Sequence, residues 1–182
     1  MLNLLGSGLP NVFLADGYHE SSFDGRVAYS YSDLVGLYVE IAKSIALSTH
    51  EMTAAEFRFL RKRLELSQSE VGNIIGKTSQ AVAKWEKEKA QIPKADSTLL
   101  RLTWLQKFAP SEILDFLSNF LTCPNSTTPK KEYVFVFSGK WHLSDRSWSH
   151  TSQMLCDETL VAIRAVAYSS EIFDLREGTI NG

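Results

Sequence analysis

The stretch LELSQSEVGNIIGKTSQAVAKWEKEKAQIP, Leu64–Pro93, constrains the fold of this chain more than any other. Ser67 and Glu70 (SQSE) have the spacing of a capping box, in which hydroxyl and carboxyl satisfy each other's orphan amides at a helix start. TAAE, Thr53–Glu56, repeats the signal one helix earlier. Two short helices that cross closely need a residue with almost no side chain, and Gly72 supplies it. The turn between them needs a left-handed backbone, which Gly76 tolerates. Val71, Ile75, Val82 and Trp85 close a small core beneath, completed by Leu60 and Leu64 from the preceding helix. An ordinary α-hairpin has no need of all these features at once. The pattern is that of a helix-turn-helix.

The second helix of the pair is expected over roughly Ser79 to Lys87. With Val82 and Trp85 on its buried side, Ser79, Gln80, Ala83 and Lys84 face outward. A helix of this size fits the major groove of B-DNA and presents its N-terminal side chains to base edges. Gln80 suits an adenine edge, Lys84 a guanine, Ser79 several bases, and Ala83 a thymine methyl. Gln68 and Thr78, at the two helix starts, suit phosphate oxygens. Arg58, Arg61, Lys87 and Lys89 would add a salt-sensitive component.

Charge distribution agrees with such a localised face. The whole chain of 182 residues carries −2, yet Thr53–Lys107 holds 11 basic against 6 acidic residues, or +5. The remainder, with 8 basic against 15 acidic residues, carries −7. A basic segment in an acidic chain points to one anion-binding surface and disfavours indiscriminate adhesion.

The rest of the sequence predicts an α+β protein in which a central five-helix unit is flanked by small N- and C-terminal α+β or β elements. Residues 1–50 read as a hairpin plus a helix. NVFLADGY (Asn11–Tyr18) and RVAYSY (Arg26–Tyr31) favour strands around the turn-rich HESSFDG, and Ser32 and Asp33 cap a helix reaching about Leu47. Leu34, Leu37, Tyr38, Ile41 and Ile45 give that helix one apolar face, while Gly36 weakens its first turn. Residues 51–122 form the helix-turn-helix domain. Within it Pro93 and Asp96 open a helix carrying Leu99, Leu102, Leu105 and Phe108. Pro110 and Ser111 then open Ser111–Leu121, apolar on more than one side and suited either to dimerisation or to capping the domain. Residues 123–131 (CPNSTTPKK) read as a linker. Residues 132–182 begin with a hairpin turned at Ser138–Gly139–Lys140, and DETLVAIRAVAYSSEIF reads equally as helix or strand.

The LxLSQxEVGxxIGxTxQAVxxWExxK…P pattern resembles the Xre/Cro helix-turn-helix family of phage repressors and antitoxins. That resemblance implies a compact helical domain that binds operator DNA as a dimer and represses. It has one visible departure: Glu88 stands where a glycine usually follows the recognition helix. A wider span, Leu9 to Phe108, with GLPNVFLADGY, SDLVGLYVEIAKSI and TAAEFRFLRKRLELSQ, looks like bacterial regulators related to MqsA-type antitoxins. In those proteins a four-cysteine zinc module also binds the toxin. This chain has no cysteine before Cys123, so the resemblance is to a zinc-less branch, with a toxin protein as the alternative partner.

Other chemistry is thinly represented. Cys123 and Cys156 form no CxxC pair, leaving one disulfide or two reduced thiols. His19, His50, His142 and His150 lack metal-ligand spacing, and Glu20 and Asp24 beside His19 read as a solvated loop. No nucleophile elbow, phosphate-cradling loop or paired-carboxylate signature occurs, so neither an enzyme nor a cofactor is expected. Phe135, Phe137, Trp141 and Trp148 read as a small β core. The first residues lack the basic and apolar regions of a signal peptide, and no membrane-length apolar run follows, so the expected location is cytoplasmic.

Overall fold

Asp33 begins the first helix, α1 (Leu34–Leu47), by accepting a hydrogen bond from the Gly36 amide at 2.9 Å. The bond satisfies one of the amides that every helix start leaves unpaired. The same carboxylate occupies the space a side chain at residue 36 would need, so glycine there makes room for the cap. Leu37, Ile41 and Ile45 lie fully buried on one face, each contributing roughly 1.5–3 kcal/mol of transfer free energy. Leu34 stays exposed.

The computed structural model describes residues 1–122 and 132–144, apart from the side chain of Phe23. Among them are six α-helices and two small sheets, an α+β architecture. After α1 come α2 (Ala54–Arg63), α3 (Gln68–Ile75), α4 (Ser79–Glu86), α5 (Lys94–Phe108) and α6 (Ile113–Thr122). The linker at 123–131 and the segment from residue 145 onward, with Cys123, Cys156, Trp148 and His150, lie outside the described residues.

The N-terminal strands depart from expectation. Of the run Asn11–Tyr18, only Tyr18 pairs with Arg26–Tyr31. The run's first part gives β2 (Val12–Leu14), which lies antiparallel to β1 (Leu2–Asn3). Its last residue opens β3 (Tyr18–Phe23), which takes in the polar HESS and pairs along its length with β4 (Arg26–Tyr31). The turn is only Asp24–Gly25, with φ of 50° and 70°, the two-residue mirror-image turn that matches strand twist. His19 to Ser22 and all of β4 except Tyr31 are exposed. A ribbon wet on both faces has no apolar alternation to read, which is why its first strand passed for a loop.

The hairpin at 133–143 forms as expected, with β5 (Tyr133–Phe137) and β6 (Trp141–Leu143) joined through Ser138–Gly139–Lys140. It is not a separate unit within the described residues. β5 lies parallel to β2, Val12 opposite Tyr133, giving the sheet order β1-β2-β5-β6. Parallel pairing requires a long crossover, and the whole helical region supplies it. Trp141 locks this sheet to α1: its indole donates to the Asp33 carbonyl at 2.8 Å, and its ring fills the space above Gly17.

One continuous core runs from Leu14 and Phe135 through Ile41 and Phe57 to Trp85 and Trp104. In α5 the expected Leu99, Leu102, Leu105 and Phe108 ladder is corrected. The buried face carries Ser97, Leu100, Arg101, Trp104 and Leu105, whereas Leu99 and Phe108 are 43% and 45% exposed. A buried arginine and serine on that face displaced the apparent apolar stripe. In α6 only Phe116 is buried, with Ile113, Leu117 and Phe120 packed at the core's edge and Leu114 and Leu121 exposed. No described helix is long and apolar enough to cross a membrane.

Candidate nucleic-acid interface

Three helix ends set the geometry of the candidate surface. Thr53 with Glu56 starts α2, and Ser67 with Glu70 starts α3, each as a complete capping box. Such a cap stabilises a helix by about 1 kcal/mol. At the end of α3, Gly76 is left-handed with φ 69°, and the Lys77 amide donates back to the Gly72 carbonyl at 2.8 Å. A Cβ on Gly72 would stand 2.6 Å from the Lys77 carbonyl oxygen. The close approach that demands glycine is therefore with the turn itself, not with the barrel of α4.

The turn delivers the chain to Thr78, whose hydroxyl accepts from the Ala81 amide at 3.2 Å and so starts α4. Val82 is fully buried and Trp85 is 5% exposed, and the Trp85 ring meets Phe57 edge-on at 5.7 Å. With those side chains inside, Ser79, Gln80 and Lys84 are exposed and Ala83 is partly so. The four share one outward face of α4. Lys87 and Lys89, just beyond it, are also exposed.

The helix is held from behind by a charged clamp that the sequence reading did not single out. Glu86 is 3% exposed. Its carboxylate takes Arg61 on both oxygens, with Nη2 to Oε2 at 2.9 Å, and accepts the Gln68 amide Nε2 at 2.9 Å. Arg61 also donates to the Leu66 carbonyl at 2.7 Å. Arg58 donates to the Glu86 carbonyl and lies 3.8 Å from its carboxylate. Burial alone would raise the Glu86 carboxyl, but the Arg61 and Gln68 hydrogen bonds and the two arginine charges hold it below the ordinary glutamate range. Arg61, expected to face outward, is thus turned inward. Gln68 likewise spends its amide on the clamp, and Arg58 keeps only part of its side chain in solvent. Val82, Trp85 and Glu86 have i, i+3, i+4 spacing, so helical periodicity alone puts Glu86 on the buried face.

The loop after α4 resolves the departure at Glu88. Its φ is 56°, the left-handed conformation a glycine adopts most easily. The Glu88 amide donates to the Trp85 carbonyl at 3.0 Å and the Lys89 amide to the Lys84 carbonyl at 2.9 Å, a complete Schellman end. The loop keeps its shape without the glycine.

Lys77, not singled out from the sequence, reaches from the turn toward α5, its Nζ 3.6 Å from the Asp96 carboxylate. A second buried polar cluster lies further away. Glu56 receives the Thr53 amide at 2.8 Å and the Tyr133 hydroxyl at 3.3 Å, and contacts His50 Nε2 at 3.2 Å. Among the described residues no group of three or more His, Cys, Asp or Glu side chains is placed to hold a metal.

The chain matches no protein-family model, no curated protein and no solved structure. What α4 can do rests on its own geometry: an eight-residue helix, polar and basic outside, clamped inside, and flanked by exposed lysines.

Proposed function

We propose that this chain is a sequence-specific DNA-binding regulator whose α4 enters the major groove. The observation that carries this reading is the exposed Ser79, Gln80 and Lys84 on a helix fixed from behind by Val82, Trp85 and the Glu86 clamp. Under this reading α2–α6 correspond to the five-helix Xre/Cro-like domain that the sequence resembles. Ser79, Gln80, Ala83 and Lys84 read bases. Thr78, Lys87, Lys89 and the exposed part of Arg58 contact phosphates, while Arg61 and Gln68 position α4 through Glu86. The protein acts in the cytoplasm as a homodimer on a pseudo-palindromic operator, with recognition helices about 34 Å apart. It represses, its own promoter included, and catalyses no reaction.

Selection of bound DNA from a random pool tests this directly, with half-site spacing read from the enriched sequences. Gln80→Ala and Lys84→Ala should each cost ~1–3 kcal/mol at one base position, whereas Lys87→Ala should weaken all sequences alike. A selected pool no different from the input sinks the reading.

One observation favours a second role. The β3–β4 ribbon leaves Val27 and Tyr29 exposed, and α1 leaves Val35 exposed at 76%, apolar surface suited to a protein partner. An antitoxin-like module that masks a toxin would use it. Co-purification with the product of an adjacent gene, lost on Val27→Asp, is the outcome this role requires.

A further inference from the structure

The β3–β4 ribbon forms a sheet of its own, with a strand edge on either side. Tyr18 and Tyr31 pack its base against the core, while Val27 and Tyr29 are 53% and 40% exposed. A two-stranded ribbon is marginal by itself and gains from further strands. The hairpin register fixes which backbone groups are free. Phe23 and Arg26 close the two-residue turn, so they form a hydrogen-bonded pair, and such pairs recur at every second residue. The Ser32 amide, donating to the Gly17 carbonyl at 3.0 Å, continues that series. In β4, therefore, Arg26, Ala28 and Ser30 turn their amides and carbonyls toward β3. Val27, Tyr29 and Tyr31 turn theirs outward.

Charge and register choose between the two edges. The outward residues of β3 are Tyr18, Glu20 and Ser22, so self-pairing about its centre sets Glu20 against Glu20, and like charges directly opposite destabilise a sheet. β4 (RVAYSY) contains no proline, lysine or bulge, the devices that blunt an edge. Its outward residues are symmetric about Tyr29. A two-fold axis beside Tyr29 lets that residue exchange N–H···O bonds with its own copy, and Val27 with Tyr31 of the other chain. Every outward amide and carbonyl of β4 is then used, through aromatic and aromatic–β-branched pairs, which stabilise a sheet. The same register sets Arg26 of one copy opposite Ser32 of the other, one residue from the exposed acid Asp33. We propose that β4 pairs antiparallel with β4 of a second copy of this chain, joining two ribbons into one sheet across an isologous interface. This inference goes beyond the DNA-binding reading: it says where two copies meet, and it stands without DNA.

Sedimentation equilibrium of the full chain, from about 1 to 200 μM, should show a reversible monomer–dimer equilibrium. Tyr29→Lys and Tyr29→Glu each put like charges across the axis and should each weaken the dimer at least about tenfold. An equimolar mixture of the two should recover it, because residue 29 faces only its own copy, and recovery also shows that both variants fold. In a Cys123→Ser, Cys156→Ser background, mild oxidation should link Tyr29→Cys chains, whose Cα atoms lie within disulfide reach. Glu20→Cys, on the far edge, should stay unlinked. A chain that is monomeric throughout, as when a strand of a different protein or another stretch of this chain takes the edge, overturns the pairing. A dimer that neither charged variant weakens, or a mixture no more associated than its parts, overturns it as well. Linking through Glu20→Cys and not through Tyr29→Cys moves the contact to β3 and refutes the register. Because no DNA enters the experiment, its failure is distinct from failure of the regulator reading.

Discussion

The Arg61 guanidinium holds both carboxylate oxygens of Glu86, Nε on Oε1 at 2.5 Å and Nη2 on Oε2 at 2.9 Å. The Arg61 side chain is 12% exposed and that of Glu86 4%, so removing one partner leaves a nearly buried charge uncompensated. Arg61→Ala should therefore cost about 3 kcal/mol of stability, measured by urea unfolding. In the proposed DNA complex its effect comes through the pose of α4, so the slope of log affinity against log salt stays as in the wild type. Lys87→Ala should lower that slope by about one. An Arg61→Ala protein with unchanged stability and a reduced slope would return Arg61 to the phosphate-binding role.

Two helix ends carry glutamate in a glycine conformation. Glu65 after α2 and Glu88 after α4 have φ of 62° and 56°, and both sit in Schellman ends, with Leu66 donating to the Arg61 carbonyl at 3.1 Å. A left-handed non-glycine residue costs on the order of 1 kcal/mol. Glu88→Gly and Glu65→Gly should each raise stability by about that amount. Glu88→Ala, which keeps the strain, serves as the control. Equal melting temperatures for the glycine and alanine variants would show that the backbone is not strained there.

Arg101 joins α5 to the C-terminal end of α1. Its donors reach the carbonyls of Ile45 at 2.6 Å, Ser48, and His50 at 2.9 Å. Burial pulls the guanidinium below its ordinary value, while the charge of Glu56 opposes that. Arg101→Met keeps the length and loses every donor, stranding buried carbonyls that cost about 1–3 kcal/mol each. We expect a loss of several kcal/mol, seen as a lower denaturant midpoint. A loss under about 1 kcal/mol would mean that water replaces the guanidinium.

Local signals made the centre of this chain legible. Ser67, Glu70, Gly72 and Gly76 each act within a few residues of themselves, so capping and turn chemistry carried directly into α3 and α4. Arg101 and Glu86 were harder because their partners lie 51–56 and 18–28 residues away. A buried arginine on α5 also broke the apolar ladder that a reading by leucines alone assigned to that helix. The β2–β5 pairing was hidden for the same reason, since no local pattern tells Val12 that it lies beside Tyr133. At the candidate interface, the outward face of α4 was readable from Val82 and Trp85, but the direction of Arg61 depended on a carboxylate from another helix.

Glu56 and Glu86 make stability depend on pH in the acid range. Burial alone would raise both, but at Glu56 the His50 contact, the Thr53 amide and the Arg101 charge outweigh it, as Arg61, Gln68 and Arg58 do at Glu86. Both carboxyls therefore titrate below their ordinary value of 4.5 in the folded protein. The unfolded chain binds their protons first, so their contribution is complete above that value and disappears as pH falls through the folded ones. Glu40, raised by burial, works in the opposite direction and offsets part of the slope. Denaturant titrations from neutral pH down to about pH 3.5 should show wild-type stability falling through this window. Glu86→Gln keeps the volume but removes the charge, so it should start less stable at neutral pH and lose less on acidification. The two curves then converge at the acid end. Parallel acid limbs would mean that the Glu86 carboxylate gains nothing from Arg61 on folding, and would remove the clamp as the element that fixes α4.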